Sequence, residues 1–212
     1  MTDCAWMSVA PANADIIVPL RSELSFSDDP ALKRAYSDAT YGSGNGKPIP
    51  PDLLPRTFFT WRGPRDSSKP WTQRLPHLTN SGFWFVSSEV AEVLHRFDFG
   101  GCKLHPVAVL MEDRKTPLPG SYFLVDFDSW KDVFLAEHSP DVALMEGSKK
   151  RSMPYFTTND DAAALSSEAL AGADIWWNPM VLGAFFLSDR LAQALRAAGV
   201  DKPFALRRCR IL

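Results

Sequence analysis

The sequence predicts an α+β fold in which two related strand–helix–strand units pack with a mixed sheet and a proline-rich N-terminal segment wraps on them. An internal repeat is the first ground for this. Phe85-Val86-Ser87-Ser88-Glu89-Val90-Ala91-Glu92-Val93-Leu94 aligns without gaps on Phe186-Leu187-Ser188-Asp189-Arg190-Leu191-Ala192-Gln193-Ala194-Leu195. In each copy an aromatic-rich strand ends at a serine whose hydroxyl suits the free amides of a first helical turn. Val90, Val93, Leu94 and Phe97 then form one helical stripe, and Leu191, Ala194, Leu195 and Ala198 repeat it. Glycine follows each helix, and a second strand closes each unit, Leu104 to Leu110 and Phe204 to Leu212. The period of about 100 residues is too long for a solenoid. The second ground is proline, which crowds the region before residue 80 at Pro48, Pro50, Pro51, Pro55, Pro64, Pro70 and Pro76. Each fixes φ and removes an amide donor, so regular structure is interrupted there. The chain is accordingly divided into residues 1–80 and an α/β domain over 81–212, with the repeat at 83–110 and 184–212.

Within the first 80 residues one helix stands out. Asp29 caps it, Pro30 suits its first turn, Leu32, Ala35, Tyr36 and Ala39 share a face, and Gly42 marks its stop. Phe58, Phe59 and Trp61 read as a short strand. Between the repeat copies lie a buried strand, Tyr122 to Phe127, a helix from about Ser129 to Glu137, and a short helix from about Asn159 to Gly172. Lys149-Lys150-Arg151 falls in a loop.

Composition excludes several classes. Of 212 residues, 45% are hydrophobic and 23% charged, which is globular rather than disordered. A net charge of −2 points neither to nucleic acid nor to an anionic membrane. No basic-then-apolar leader opens the chain, and Met180 to Leu187 is too short to span a bilayer. Cys4, Cys102 and Cys209 are odd in number and widely spaced, which suits a reducing compartment. The expected location is the cytoplasm.

The repeated apolar-apolar-Ser-Asp/Glu unit, followed by helix and strand, resembles a family of bacterial immunity proteins that guard a cell against its own polymorphic toxins, with repeated strand–Ser–helix units of a myxobacterial type. The similarity lies in three places over roughly Phe83 to Leu212. They are Phe85-Val86-Ser87 with its closing strand Leu104-His105-Pro106-Val107, the strand Tyr122-Phe123-Leu124-Val125 with Asp126 or Asp128 after it, and Phe186-Leu187-Ser188 to the chain end. Asp189-Arg190 after Ser188 and the segment Trp176-Trp177-Asn178-Pro179 depart from the pattern. The resemblance implies tight binding of one secreted toxin, of the kind delivered by contact-dependent machinery such as type VI secretion, and no chemistry.

The residues themselves offer little catalysis. Gly42-Ser43-Gly44-Asn45-Gly46-Lys47 lacks a phosphate loop's first glycine, where Tyr41 stands, and has Pro48 in the Ser/Thr position, so it reads as a surface loop. Cys102-x-x-His105 is half a zinc site without a second pair. Asp126-x-Asp128 offers two carboxylates at a strand end, or else one solvated acid and one helix cap. His77, His95, His105 and His138 make no metal or hydrolase motif. An enzyme would have to assemble a site from scattered residues such as Asp126, Asp128, His105 and His138. An adaptor in a larger assembly is the other alternative. No cofactor or metal is expected.

A partner surface is easier to argue. Ser152 to Asp189 has no lysine or arginine but five acids, Asp160, Asp161, Glu168, Asp174 and Asp189. From Glu112 to Glu146 there are eight acids against three bases, whereas Arg56 to Arg74 and the chain end, Arg207, Arg208 and Arg210, are basic. An acidic face steers association with a basic protein. Trp84 and Trp130 read as core. In a strand Trp176 and Trp177 face opposite ways, which leaves one exposed as a binding anchor. Trp61 and Trp71 serve equally as core cover or contact. The expected partner-binding residues are Asp160, Asp161, Asp174, Trp176 and Trp177, and the expected partner is a toxin with a basic surface.

Overall fold

The computed structural model describes residues 4–62, 69, 71–142 and 154–212. The loop expected at Lys149-Lys150-Arg151 lies outside them. In chain order the elements are β1 (Ala5–Ser8), β2 (Leu20–Arg21), α1 (Pro30–Gly44), β3 (Thr57–Thr60), β4 (Leu78–Ser81) and β5 (Phe83–Ser87). Then follow α2 (Ser88–Leu94), β6 (Lys103–Leu110), β7 (Tyr122–Asp126), β8 (Ala164–Leu165) and β9 (Ile175–Trp177). The last are β10 (Phe185–Ser188), α3 (Asp189–Ala197) and β11 (Leu206–Ile211). Among the described residues, three α-helices and two mixed sheets make an α+β fold.

The chain forms two compact units. The first holds Ile16–Ala91 and Lys103–Phe127, and the second holds Met1–Asp15, Glu92–Cys102 and Asp128–Leu212. The structure therefore does not divide at residue 80. The proline-rich region is not a wrapping either, because it supplies strands to both sheets: β1 to one and β2, β3 and β4 to the other. Prolines interrupt its strands but do not remove them, since the strands are short and the prolines fall between them.

In the first unit the sheet order is β2-β3-β6-β7-β5-β4. β3 runs parallel to β6, and β6–β7, β7–β5 and β5–β4 are antiparallel. The segment carrying β2 touches both ends of this order. Leu20 pairs antiparallel with Thr60 of β3, while Ile17 bridges Asn80 of β4 in parallel and Val18 N donates to Asn80 O at 3.3 Å. One segment thus joins the two ends of the strand order and closes the sheet on itself. Val18, Leu20, Phe58, Phe83, Phe85, Val109, Tyr122 and Leu124 fill it.

The second unit has the order β8-β11-β1-β10-β9. β8 is parallel to β11, and β11–β1, β1–β10 and β10–β9 are antiparallel. Its two edges are again joined by one segment. Trp130 bridges Trp177 in parallel, and Phe134 bridges Leu165 antiparallel. Trp177 N donates to Ser129 O at 2.9 Å and Leu135 N to Ala164 O at 2.9 Å. The interior holds Ala5, Met7, Val133, Phe134, Leu165, Trp176, Phe186 and Cys209.

The two closed sheets thus have one topology, strand for strand. The repeat seen in the sequence is the visible part of a longer duplication, in which segment 16–21, β3, β4, β5, α2, β6 and β7 match segment 129–135, β8, β9, β10, α3, β11 and β1. The second copy is circularly permuted. Its middle strand, the counterpart of β7, is β1, nearly 200 residues before β11.

Local signals hold where they are capped. Asp29 accepts from Ala31 N at 2.8 Å at the start of α1, and the Ser188 hydroxyl accepts from Leu191 N at 3.2 Å at the start of α3. Ser87 spends its hydroxyl on His77 Nδ1 at 2.8 Å. Gly42-Ser43-Gly44 is the last turn of α1 with Gly42 and Ser43 buried, so it is not a surface loop. Residues 129–135 are not helical, because their backbone groups are committed to β9 and β8; only the single turn Ala136–His138 coils. The helix expected over 159–172 is β8 plus a single turn at Ser167–Leu170.

Candidate partner-binding surface

Asp174, Trp176 and Trp177 are interior, which corrects the expectation of an exposed tryptophan. Both faces of β9 are covered, so alternation along the strand sends one indole into the core and the other under neighbouring structure. Trp176 stacks on Phe186 with ring centroids 5.9 Å apart, and Trp177 packs on Phe185 at 5.7 Å. Asp174 precedes β9 and is buried. Its carboxylate accepts from Asp98 N at 2.9 Å, from the Ser188 hydroxyl, and from Arg190 Nε and Nη2 at 2.5 and 2.7 Å. Four donors make it a structural knot joining β9, β10 and the start of α3. Asp174→Ala is expected to cost about 3 kcal/mol in chemical denaturation, since it leaves a buried amide and hydroxyl unpaired. The Arg190 guanidinium is largely exposed, so Arg190→Ala should cost far less.

Asp160 and Asp161 are at the surface but engaged. Arg208 N donates to Asp160 Oδ1 at 2.8 Å, and the Arg208 guanidinium pairs with Asp161 at 2.5 Å. That pairing holds the Asp161 carboxyl below the usual carboxylate range. Arg207 Nε donates to Thr158 O at 2.6 Å, and Arg210 Nε donates to Asp161 O at 2.9 Å. The basic strand β11 thus clamps the loop before β8. One carboxylate of the acidic run, Asp161, is thus neutralised by the basic chain end, which charge counted along the sequence does not reveal.

The exposed tryptophan is Trp130, expected in the core and found 43% exposed. It rides on the closing segment, whose backbone is fixed at both ends. Next to it, Lys131 Nζ donates to Ala169 O at 3.2 Å and Ala171 O at 2.6 Å and lies 3.8 Å from the Trp176 ring centroid. Burial pushes this amine down to about 8. The lysine thereby pins the Ser167–Leu170 turn, whose Glu168 and Leu170 are exposed, to the Trp130 segment. Asp128, Asp132, Glu137 and Asp141 of the same stretch are exposed and have no ion-pair partner among the described residues. The far end of the stretch reaches the Asp161 loop through Arg210, which also donates to His138 O. A rigid indole among uncompensated carboxylates is an anchor with a charged rim. The pattern that misled the sequence reading is the helical spacing of Trp130, Val133 and Phe134.

Of the scattered catalytic candidates, Asp126 and His105 come together, and among the described residues no third His, Cys, Asp or Glu groups with them as a metal site. Asp126 accepts from Ile49 N at 2.8 Å and lies 3.4 Å from His105 Nε2, inside the first unit. Asp128 belongs to the second unit, where its amide donates to Cys102 Sγ at 3.3 Å. Among the described residues no three His, Cys, Asp or Glu side chains group as metal ligands, and no helix is long and apolar enough to cross a membrane.

No curated protein matches the chain. The model of one family, described as "Immunity protein family (Imm11)", matches residues 21–209. The match takes in the repeat, the strand Tyr122–Asp126 and residues 21–80, for which the sequence showed no resemblance. The chain belongs to the Imm11 immunity protein family.

Proposed function

We propose that this protein neutralises one cognate secreted toxin in the cytoplasm by binding it, and that it does no chemistry of its own. Family membership supports the immunity role. The observation that carries binding is Trp130, exposed on a backbone locked between two strands and flanked at two residues either side by Asp128 and Asp132, both exposed and without an ion pair among the described residues. Such a surface suits a basic partner, because the carboxylates steer approach and the indole supplies buried area. Asp160 and Asp161 extend this surface as a rim. A toxin that is basic because it attacks nucleic acid, delivered by a contact-dependent system such as type VI secretion, meets that description.

The test is co-expression with the toxin encoded next to this chain's gene, scored by survival and co-purification. Rescue with a one-to-one complex is expected. Trp130→Ala should weaken the complex by about 2 kcal/mol or more, roughly thirtyfold, with little change in the unfolding midpoint. Failure of rescue and of complex formation by the wild-type protein would overturn the binding function. Rescue that is indifferent to Trp130→Ala would move the interface elsewhere.

A further inference from the structure

Helix α1 has no counterpart helix among the described residues of the second copy, and it does not seal the sheet it lies on. A helix packed on a core presents an apolar stripe. Lys33, Tyr36, Ser37, Thr40 and Tyr41 of α1 have the i, i+3, i+4, i+7, i+8 spacing of one face, which runs from buried Tyr36 out to exposed Lys33, Ser37 and Tyr41. That face carries four hydroxyls and an amine, and it lines a cleft of about 540 Å³. The other side of the cleft is Leu20, Arg21, Ser25, Phe58, Ser81, Gly82 and Phe83, all within the first unit.

The lining sorts by chemistry. Leu20, Phe58 and Phe83 lie beneath the cleft and are only 1–2% exposed, so the aromatic surface open to a ligand is that of Tyr41, 78% exposed. Tyr36 lies against Phe83 with centroids 5.7 Å apart, and its hydroxyl accepts from Ser22 Oγ at 2.8 Å. Arg21 and Lys33 supply two positive charges and have no ion-pair partner among the described residues, and no acid lines the cleft. Gly82 sets the approach of helix and sheet. Its φ is +85°, and a Cβ there would stand 2.2 Å from Thr40 Cγ2. The volume is that of an ordinary small-molecule site, with an apolar body and few polar groups.

We infer that this cleft binds a small organic anion, with an aromatic or similarly flat apolar body against Tyr41 and a carboxylate or phosphate held by Arg21 and Lys33. This site is separate from the Trp130 surface and does not depend on the toxin-binding reading.

The experiment is calorimetric or NMR titration of the purified chain with phenyl phosphate, benzoate, inorganic phosphate and phenol. Phenyl phosphate and benzoate should bind saturably, each at least about tenfold tighter than phenol or inorganic phosphate. The double substitution Arg21→Ala, Lys33→Ala should weaken the two aromatic anions about tenfold or more and leave phenol unchanged. Both residues are exposed, so the variant should unfold at the wild-type midpoint. Two results would overturn the site: no saturable binding of either aromatic anion at millimolar concentration, or binding of both that the double variant retains in full.

Discussion

Trp176→Ala is expected to remove about 3–5 kcal/mol of unfolding free energy, enough to leave a domain of ordinary stability marginal or unfolded at 25 °C. The indole is fully buried among Met7, Phe186 and Leu165, stacked on one side by Phe186 and met by the Lys131 ammonium. Alanine leaves a cavity the size of two fused rings in a sheet closed all round, where neighbours have little room to collapse. The indole Nε1 has no hydrogen-bond partner among the described residues, so Trp176→Phe should cost much less than alanine. Urea denaturation of Trp176→Ala, Trp176→Phe and Trp130→Ala separates the roles. Trp130→Ala should stay close to wild type, and a loss at Trp130 equal to that at Trp176 would mean that residue 130 is structural.

Deleting the residues through Val9 is expected to have a still larger effect on the second unit. β1 is paired on both sides, to β10 through Ala5↔Ser188 to Ser8↔Phe185 and to β11 through Ala5↔Cys209 to Ser8↔Leu206. Its loss bares backbone donors and acceptors on two strands and strips Ala5, Met7 and Val9 from the core. Hydrogen exchange should show β10 and β11 losing protection while β5, β6 and β7 keep theirs, since every strand of the first sheet lies between residues 20 and 126. A synthetic peptide of residues 1–12 added in trans should restore protection. Unchanged exchange at β10 and β11 after the deletion would contradict the assigned pairing.

What the sequence disclosed was local. Helix α3 with its Ser188 cap, helix α2 and their flanking strands are written in adjacent residues, and so is the Asp29-Pro30 start of α1. What stayed hidden was decided at a distance. The stretch Trp130 to Phe134 has helical spacing, yet β9 and β8 both need a partner, and satisfying two edges outweighs the intrinsic preference of one segment. The same competition exchanged the tryptophans. Trp176 and Trp177 went inward because β9 is covered on both faces, and Trp130 came out because its segment closes the sheet from the outside. The acidic surface was overcounted for a related reason, since Arg207, Arg208 and Arg210 reach the 158–161 loop only after β8 and β11 pair.

The permuted order of the second copy also sets a timetable. Residues 5–8 are made long before 206–211, and at about 5–20 residues per second the wait for their partner strand is roughly 10–40 s. The first copy can finish within residues 16–127 while its twin still lacks a centre. The face bearing Trp130 therefore gains its support only when translation reaches β11. A message cut short there is expected to yield a folded first copy without a finished second one, however much of it accumulates.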